Sequence, residues 1–206
     1  MKLAAIINIF LILGLFSCSK GDLRNQTASN GLNKMKFKVL KSIKPDIDND
    51  GIKDYAAVYE NPVNKKRMLF IALLKKNGKY KKYFINKNAI YKADEGGAMG
   101  DPFQGISYKN GLLQISFYGG SSWRWSSTYK FKFKDNAFYL VMLETSSFHA
   151  SSLEGTWKVY DYEKGVLSIT KKDARRNKIK RVEKLNVKPV NLKDFNISEK
   201  QNAGGK

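Results

Sequence analysis

The sequence predicts an all-β fold, an antiparallel meander of hairpins forming a sandwich or an open barrel. Three observations carry that prediction. Apolar and polar residues alternate through much of the chain, the period-two signature of half-buried strands. Dipeptides such as Asn77-Gly78 and Asn110-Gly111 fall between strand-like runs, where both residues tolerate the positive φ of a tight hairpin. No convincing amphipathic helix interrupts the series.

Taken in order, Met35-Lys36-Phe37-Lys38-Val39 alternates apolar and basic residues and reads as a half-buried strand. An acidic loop follows, and residues 55–59 form a second short strand. Residues 68–74 are a continuous apolar run, returned by Asn77-Gly78 into residues 80–85. Asn110-Gly111 joins residues 105–109 to 112–117, Asp135-Asn136 turns the next pair, and Lys164-Gly165 turns 156–162 onto 166–170. From Lys171 onward the basic stretch is either an edge strand or a short helix. In the strand that starts at Trp123, the odd positions are Trp123, Trp125, Ser127, Tyr129, Phe131 and Phe133, while the even ones are polar. Both tryptophans therefore share a face with three further aromatics and read as core, with Trp123, nearest Gly119-Gly120, reaching toward a cleft.

The acidic loop reads DIDNDGIKD. Asp46, Asp48, Asp50 and Asp54 occupy its first, third, fifth and ninth places, and Gly51 permits the sharp reversal. Calcium takes six to eight oxygen ligands, and alternate positions of a tight turn converge on one ion. Ile52 would add its backbone carbonyl, leaving its side chain free to pack inward. Without a cation, so many neighbouring carboxylates repel. An EF-hand would place glutamate twelfth, but Ala57 stands there and a strand follows. The pattern resembles the calcium loops of FG-GAP and VCBS-type repeats, which run directly into a β-strand.

The N-terminus gives the compartment. Lys2 precedes an apolar run over residues 3–16 that is shorter than the ~20 residues of a spanning helix. Leu15-Phe16-Ser17-Cys18 resembles the lipobox of bacterial lipoproteins, and Cys18 is the single cysteine of the chain, so no disulfide framework forms. The resemblance implies cleavage after residue 17 and lipidation of Cys18 (palmitate among the acyl chains), a durable membrane anchor. Ser19 then implies the outer membrane, and Lys20-Gly21-Asp22 resembles a surface-export signal of Bacteroidota lipoproteins. Residues 18–34 read as a tether, 35–195 as the β-domain and 196–206 as a disordered tail. The formal charge of +20 comes mostly from dispersed lysine, which marks solvated faces. Nucleic acid is not a partner expected of an exported lipoprotein.

Asp94, Glu95 and Asp101 lie in a glycine-rich centre, EGGAMGDPFQG, followed by YGGSSWRW. Together with the acidic loop, these segments resemble a set of small exported bacterial lipoproteins without assigned activity, which implies a shared fold and supplies no catalytic residues. Such a loop serves either binding or a strand crossing. Arg124 is the expected partner of one of its acids, and Asp94, Glu95, Asp101, Trp123 and Arg124 form the candidate ligand cleft. Glu95 and Asp101 could run glycoside hydrolysis as a carboxylate pair. His149 is the single histidine, and Ser146, Ser147, Ser151 and Ser152 around it read as a polar turn. The leading expectation is a calcium-stabilised, lipid-anchored binding or accessory module for a glycan or envelope protein, with no assigned catalysis. The alternatives are a periplasmic inhibitor or immunity lipoprotein and, behind it, a glycan hydrolase.

Overall fold

The computed structural model describes residues 37–202, so Cys18, the signal segment and the tether lie outside the described residues. Eleven strands follow one another, and no α-helix occurs among the described residues. The first sheet holds β1 (Lys38–Ile43), β2 (Tyr55–Glu60), β3 (Arg67–Leu74) and β4 (Tyr80–Asn86) in chain order. The second holds β5 (Phe103–Lys109), β6 (Leu112–Gly120), β7 (Trp123–Lys134), β8 (Ala137–His149), β9 (Gly155–Asp161), β10 (Val166–Lys172) and β11 (Lys178–Lys184), also in chain order. Every pairing is antiparallel, and neither sheet closes into a barrel.

The turns follow the predicted chemistry. Asn110 and Gly111 have φ of 52° and 74°, and Asp135 and Asn136 have 50° and 58°. Two consecutive left-handed residues match the right-handed twist of the flanking strands, which keeps each hairpin tight. One buried cluster joins the two sheets, with Val58, Leu69 and Ile71 from the first and Leu113, Ile115, Phe117 and Phe131 from the second. Phe84 of β4 meets Phe138 of β8 edge-on at 5.1 Å and Phe133 at 6.1 Å, an aromatic bridge between the layers.

Two boundaries differ from the sequence reading, and one choice it left open is decided. Val39 is 43% exposed; a register irregularity between Val39 and Lys41 turns Leu40 and Ile43 toward the core in its place. The basic stretch resolves as an edge strand, β11, whose lysines blunt pairing with another chain while Ile179 and Val182 stay exposed. The tail expected from residue 196 begins too early, because Ile197 is buried with Phe195 in the core. Asn86 holds that segment by donating from Nδ2 to the carbonyls of Leu192 and Phe195.

Candidate metal site and the glycine-rich connection

Asp46, Asp48 and Asp50 each bring one carboxylate oxygen to within 4.8 Å of the others, a group able to hold a metal ion. The chain achieves this with left-handed turns at Asn49 and Gly51, φ 57° and 82°. Gly51 N donates to Asp46 Oδ2 at 3.0 Å, and Ile52 N donates to Asp50 Oδ1 at 2.9 Å. The inward anchor of the loop is Ile47, 2% exposed, while Ile52 is only half-buried. Tyr108 of β5 donates its hydroxyl to the Ile47 carbonyl at 3.2 Å and so fixes the loop on the second sheet.

Lys81, on β4, supplies the positive charge facing this group. Its ammonium lies 2.6 Å from Asp48 Oδ2 and 3.4 Å from Asp50 Oδ2, and the Asp48 bond holds its pKa above the usual lysine value. One ammonium does not satisfy three carboxylates. Asp46 Oδ1 and Asp48 Oδ1 are buried and have no hydrogen-bond partner among the described residues. Unsatisfied buried oxygens are costly and call for an explanation.

Asp54 stands outside this group. It is 1% exposed; Oδ2 accepts from Ile47 N at 2.8 Å and Oδ1 from Leu74 N at 2.9 Å. Its carboxylate thus ties the loop to the end of β3. Burial raises its pKa despite those two backbone bonds, and Asp48 and Asp50 add to the rise.

The glycine-rich connection runs from β4 to β5, between the two sheets. Its glycines permit close backbone approach. Gly120 N donates to Gly96 O at 2.8 Å, and a Cβ on Gly119 would lie 2.7 Å from the Trp125 ring. The connection is held by Arg67, buried at 3% exposure at the start of β3. Arg67 Nε and Nη2 donate to Glu60 Oε2 at 2.9 and 2.7 Å across the β2–β3 pair. Nη1 donates to Asp101 Oδ1 at 2.7 Å and to the Tyr91 carbonyl at 3.1 Å, and Nη2 reaches Asp101 Oδ2 at 2.6 Å. A planar guanidinium suits such bidentate pairing. Burial alone would lower the Arg67 pKa, but Asp101 and Glu60 outweigh it and hold it above its usual value. The Arg67 bond also holds Asp101 below the usual carboxylate range, opposite to the shift a general acid needs.

The five residues expected to share one cleft are put to separate uses. Arg124 pairs with no acid among the described residues: its Nη1 donates to the Tyr118 hydroxyl at 3.0 Å, and its guanidinium lies 6.0 Å from that ring. Arg67 takes the role assigned to it. Glu95 Oε2 accepts from Lys92 N at 2.6 Å within a turn, and Asp94 is exposed. Trp123 is 52% exposed and meets His149 edge-on at 5.5 Å, while Trp125 packs against the core beside Tyr91. His149 Nδ1 lies 3.2 Å from Ser151 Oγ and 3.3 Å from Ser152 Oγ, in the polar turn expected there. Sequence reasoning missed Arg67, Glu60 and Lys81; the one local signal was the pair Glu60 and Arg67 flanking a short turn between two apolar runs. Comparison with protein-family models, with curated proteins and with solved structures finds no match for this chain.

Proposed function

We propose that the protein is a calcium-stabilised β-domain, anchored at the outer membrane through lipid on Cys18, that serves as a binding or accessory module toward an envelope glycan or protein. The observation that carries the calcium part is the pair of buried, unpartnered oxygens, Asp46 Oδ1 and Asp48 Oδ1, beside the Asp50 carboxylate. Hard oxygen donors in this number suit a hard cation, and backbone carbonyls and water complete a calcium shell. Lys81 then swings into solvent, which its 46% side-chain exposure permits. An exterior with abundant calcium tolerates the weak, millimolar-range affinity typical of such modules.

The remaining part rests on the N-terminal resemblance and on the use of the acids. Asp101 is committed to Arg67, so the glycine-rich connection serves to hold the sheets, not to run hydrolysis. The test is a thermal melt with calcium and with chelator. A lower melting temperature under chelator, absent in Asp48→Asn, is expected; identical melts would overturn the calcium reading.

A further inference from the structure

A cavity lies on the inner face of the seven-stranded sheet, and none of the acidic-loop residues lines it. It opens over β7, β8 and β9 with a volume of ≈ 280 Å³. This is close to the lower end of ligand pockets, about 300–1,000 Å³. Register shows how it is built. Ser127 pairs with Thr145, and Thr145 with Lys158, so these three side chains form one row across the three strands. Two residues along, Tyr129, Leu143 and Tyr160 form a parallel apolar row on the same face. On the other side of the polar row stands Trp125, half-buried, with its ring edge-on to Tyr91 at 5.7 Å.

A core face that continued its own pattern would be apolar in the middle row. Here it carries two hydroxyls and an ammonium. Ser127 is 4% exposed and Tyr129 1% exposed; neither hydroxyl has a hydrogen-bond partner among the described residues, although Ser127 and Tyr91 both act electrostatically on the Tyr129 hydroxyl. Polar groups that are buried this deeply are nearly always satisfied. Lys158, half-buried at the same cavity, makes no ion pair among the described residues.

We infer that this cavity is a binding site for an acidic sugar, a single uronic-acid-like ring. Hydroxyls both donate and accept, which matches a ligand rich in hydroxyls. The Trp125 and Tyr160 rings present apolar surface to the ring's C–H face. The Lys158 ammonium pairs the carboxylate in a charge-assisted bond. The inference deepens the reading of the domain as a glycan-binding module and rests on it.

The test is a titration of the ¹⁵N-labelled protein, with calcium present, by glucuronate, glucose and acetate in turn. Glucuronate is expected to shift the amides of Ser127, Thr145 and Lys158 with the greatest affinity. Lys158→Gln should weaken it about tenfold, the worth of a hydrogen bond to a charged group, and Thr145→Val should weaken it several-fold. Equal response to acetate reduces the site to a simple anion contact and overturns the inference. Equal response to glucose, shifts elsewhere on the domain, or no shift at all overturns it too. If either variant fails to fold, the pattern of shifts in the unaltered protein decides. A protein that binds no sugar but still loses melting temperature to a chelator loses this inference and keeps the calcium reading.

Discussion

Arg67 and Asp101, 34 positions apart, are joined by two parallel hydrogen bonds of 2.7 and 2.6 Å, one from each terminal nitrogen of the guanidinium. The same guanidinium holds Glu60, so one buried cation serves two carboxylates from different parts of the chain. Removing it leaves Glu60 uncompensated in the interior. Arg67→Met is expected to destabilise the domain by about 3–5 kcal/mol, measured by denaturant unfolding. The double variant Arg67→Met, Glu60→Leu should recover part of that loss, and a cost no smaller than that of the single variant would refute the pairing argument.

The Asp101 pair also makes a pH prediction. Its folded carboxyl titrates below the unfolded value, chiefly because of Arg67. The stabilisation it gives is fully present above the unfolded carboxylate value, about 4, and is lost as pH falls through the lower folded value. Acid unfolding of the native protein should therefore be steeper below that point than that of Asp101→Asn. Superimposable acid profiles would count against the pair.

Lys81 and a metal ion compete for the same carboxylates. Lys81→Met should tighten calcium binding while lowering the stability of the metal-free protein, because it removes the charge that faces Asp48 and Asp50. Calorimetric titration of both proteins measures this directly. Unchanged calcium affinity would show that the ammonium and the ion do not share a site.

Asp54 separates a structural acid from a ligating one. Asn in its place must turn an amide NH₂ toward one of the two backbone donors it now accepts. Asp54→Asn should cost about 1–3 kcal/mol with calcium or with chelator, the penalty of an unsatisfied buried donor. Asp48→Asn, by contrast, should lose the response to chelator. The two variants behaving alike in paired melts would collapse that distinction.

Cys18 is tested apart from the fold. Cells fed labelled palmitate should lipidate the native chain and leave Cys18→Ser unlabelled. Continued labelling of the variant would remove the anchor from the proposal.

What the sequence made legible was local. The hairpins were readable because each turn's chemistry lies in two adjacent residues, as at Asn110-Gly111 and Asp135-Asn136. The Asp46, Asp48 and Asp50 group was readable because alternate positions of one loop converge without help from elsewhere. Asp54 looked like a fourth member by spacing, but its backbone partners, Ile47 and especially the distant Leu74, are set by the pairing of β2 with β3. Arg124 looked like the partner of the central acids because it is near them in sequence. On a strand, its even position turns it to the outer face with Tyr118, and the acid goes to Arg67, which only tertiary packing brings close. The row Ser127, Thr145 and Lys158 was invisible for the same reason, since it exists only across three strands.

The glycine-rich connection is fastened to both sheets, at Tyr91 and Asp101 by Arg67 of the first and, between those points, at Gly96 by the Gly120 backbone N–H of the second. A joint of this kind leaves neither sheet free to open alone. In amide exchange, Gly120 and the central strands of both sheets should lose protection together, in one global event, and Arg67→Met should split that event into two.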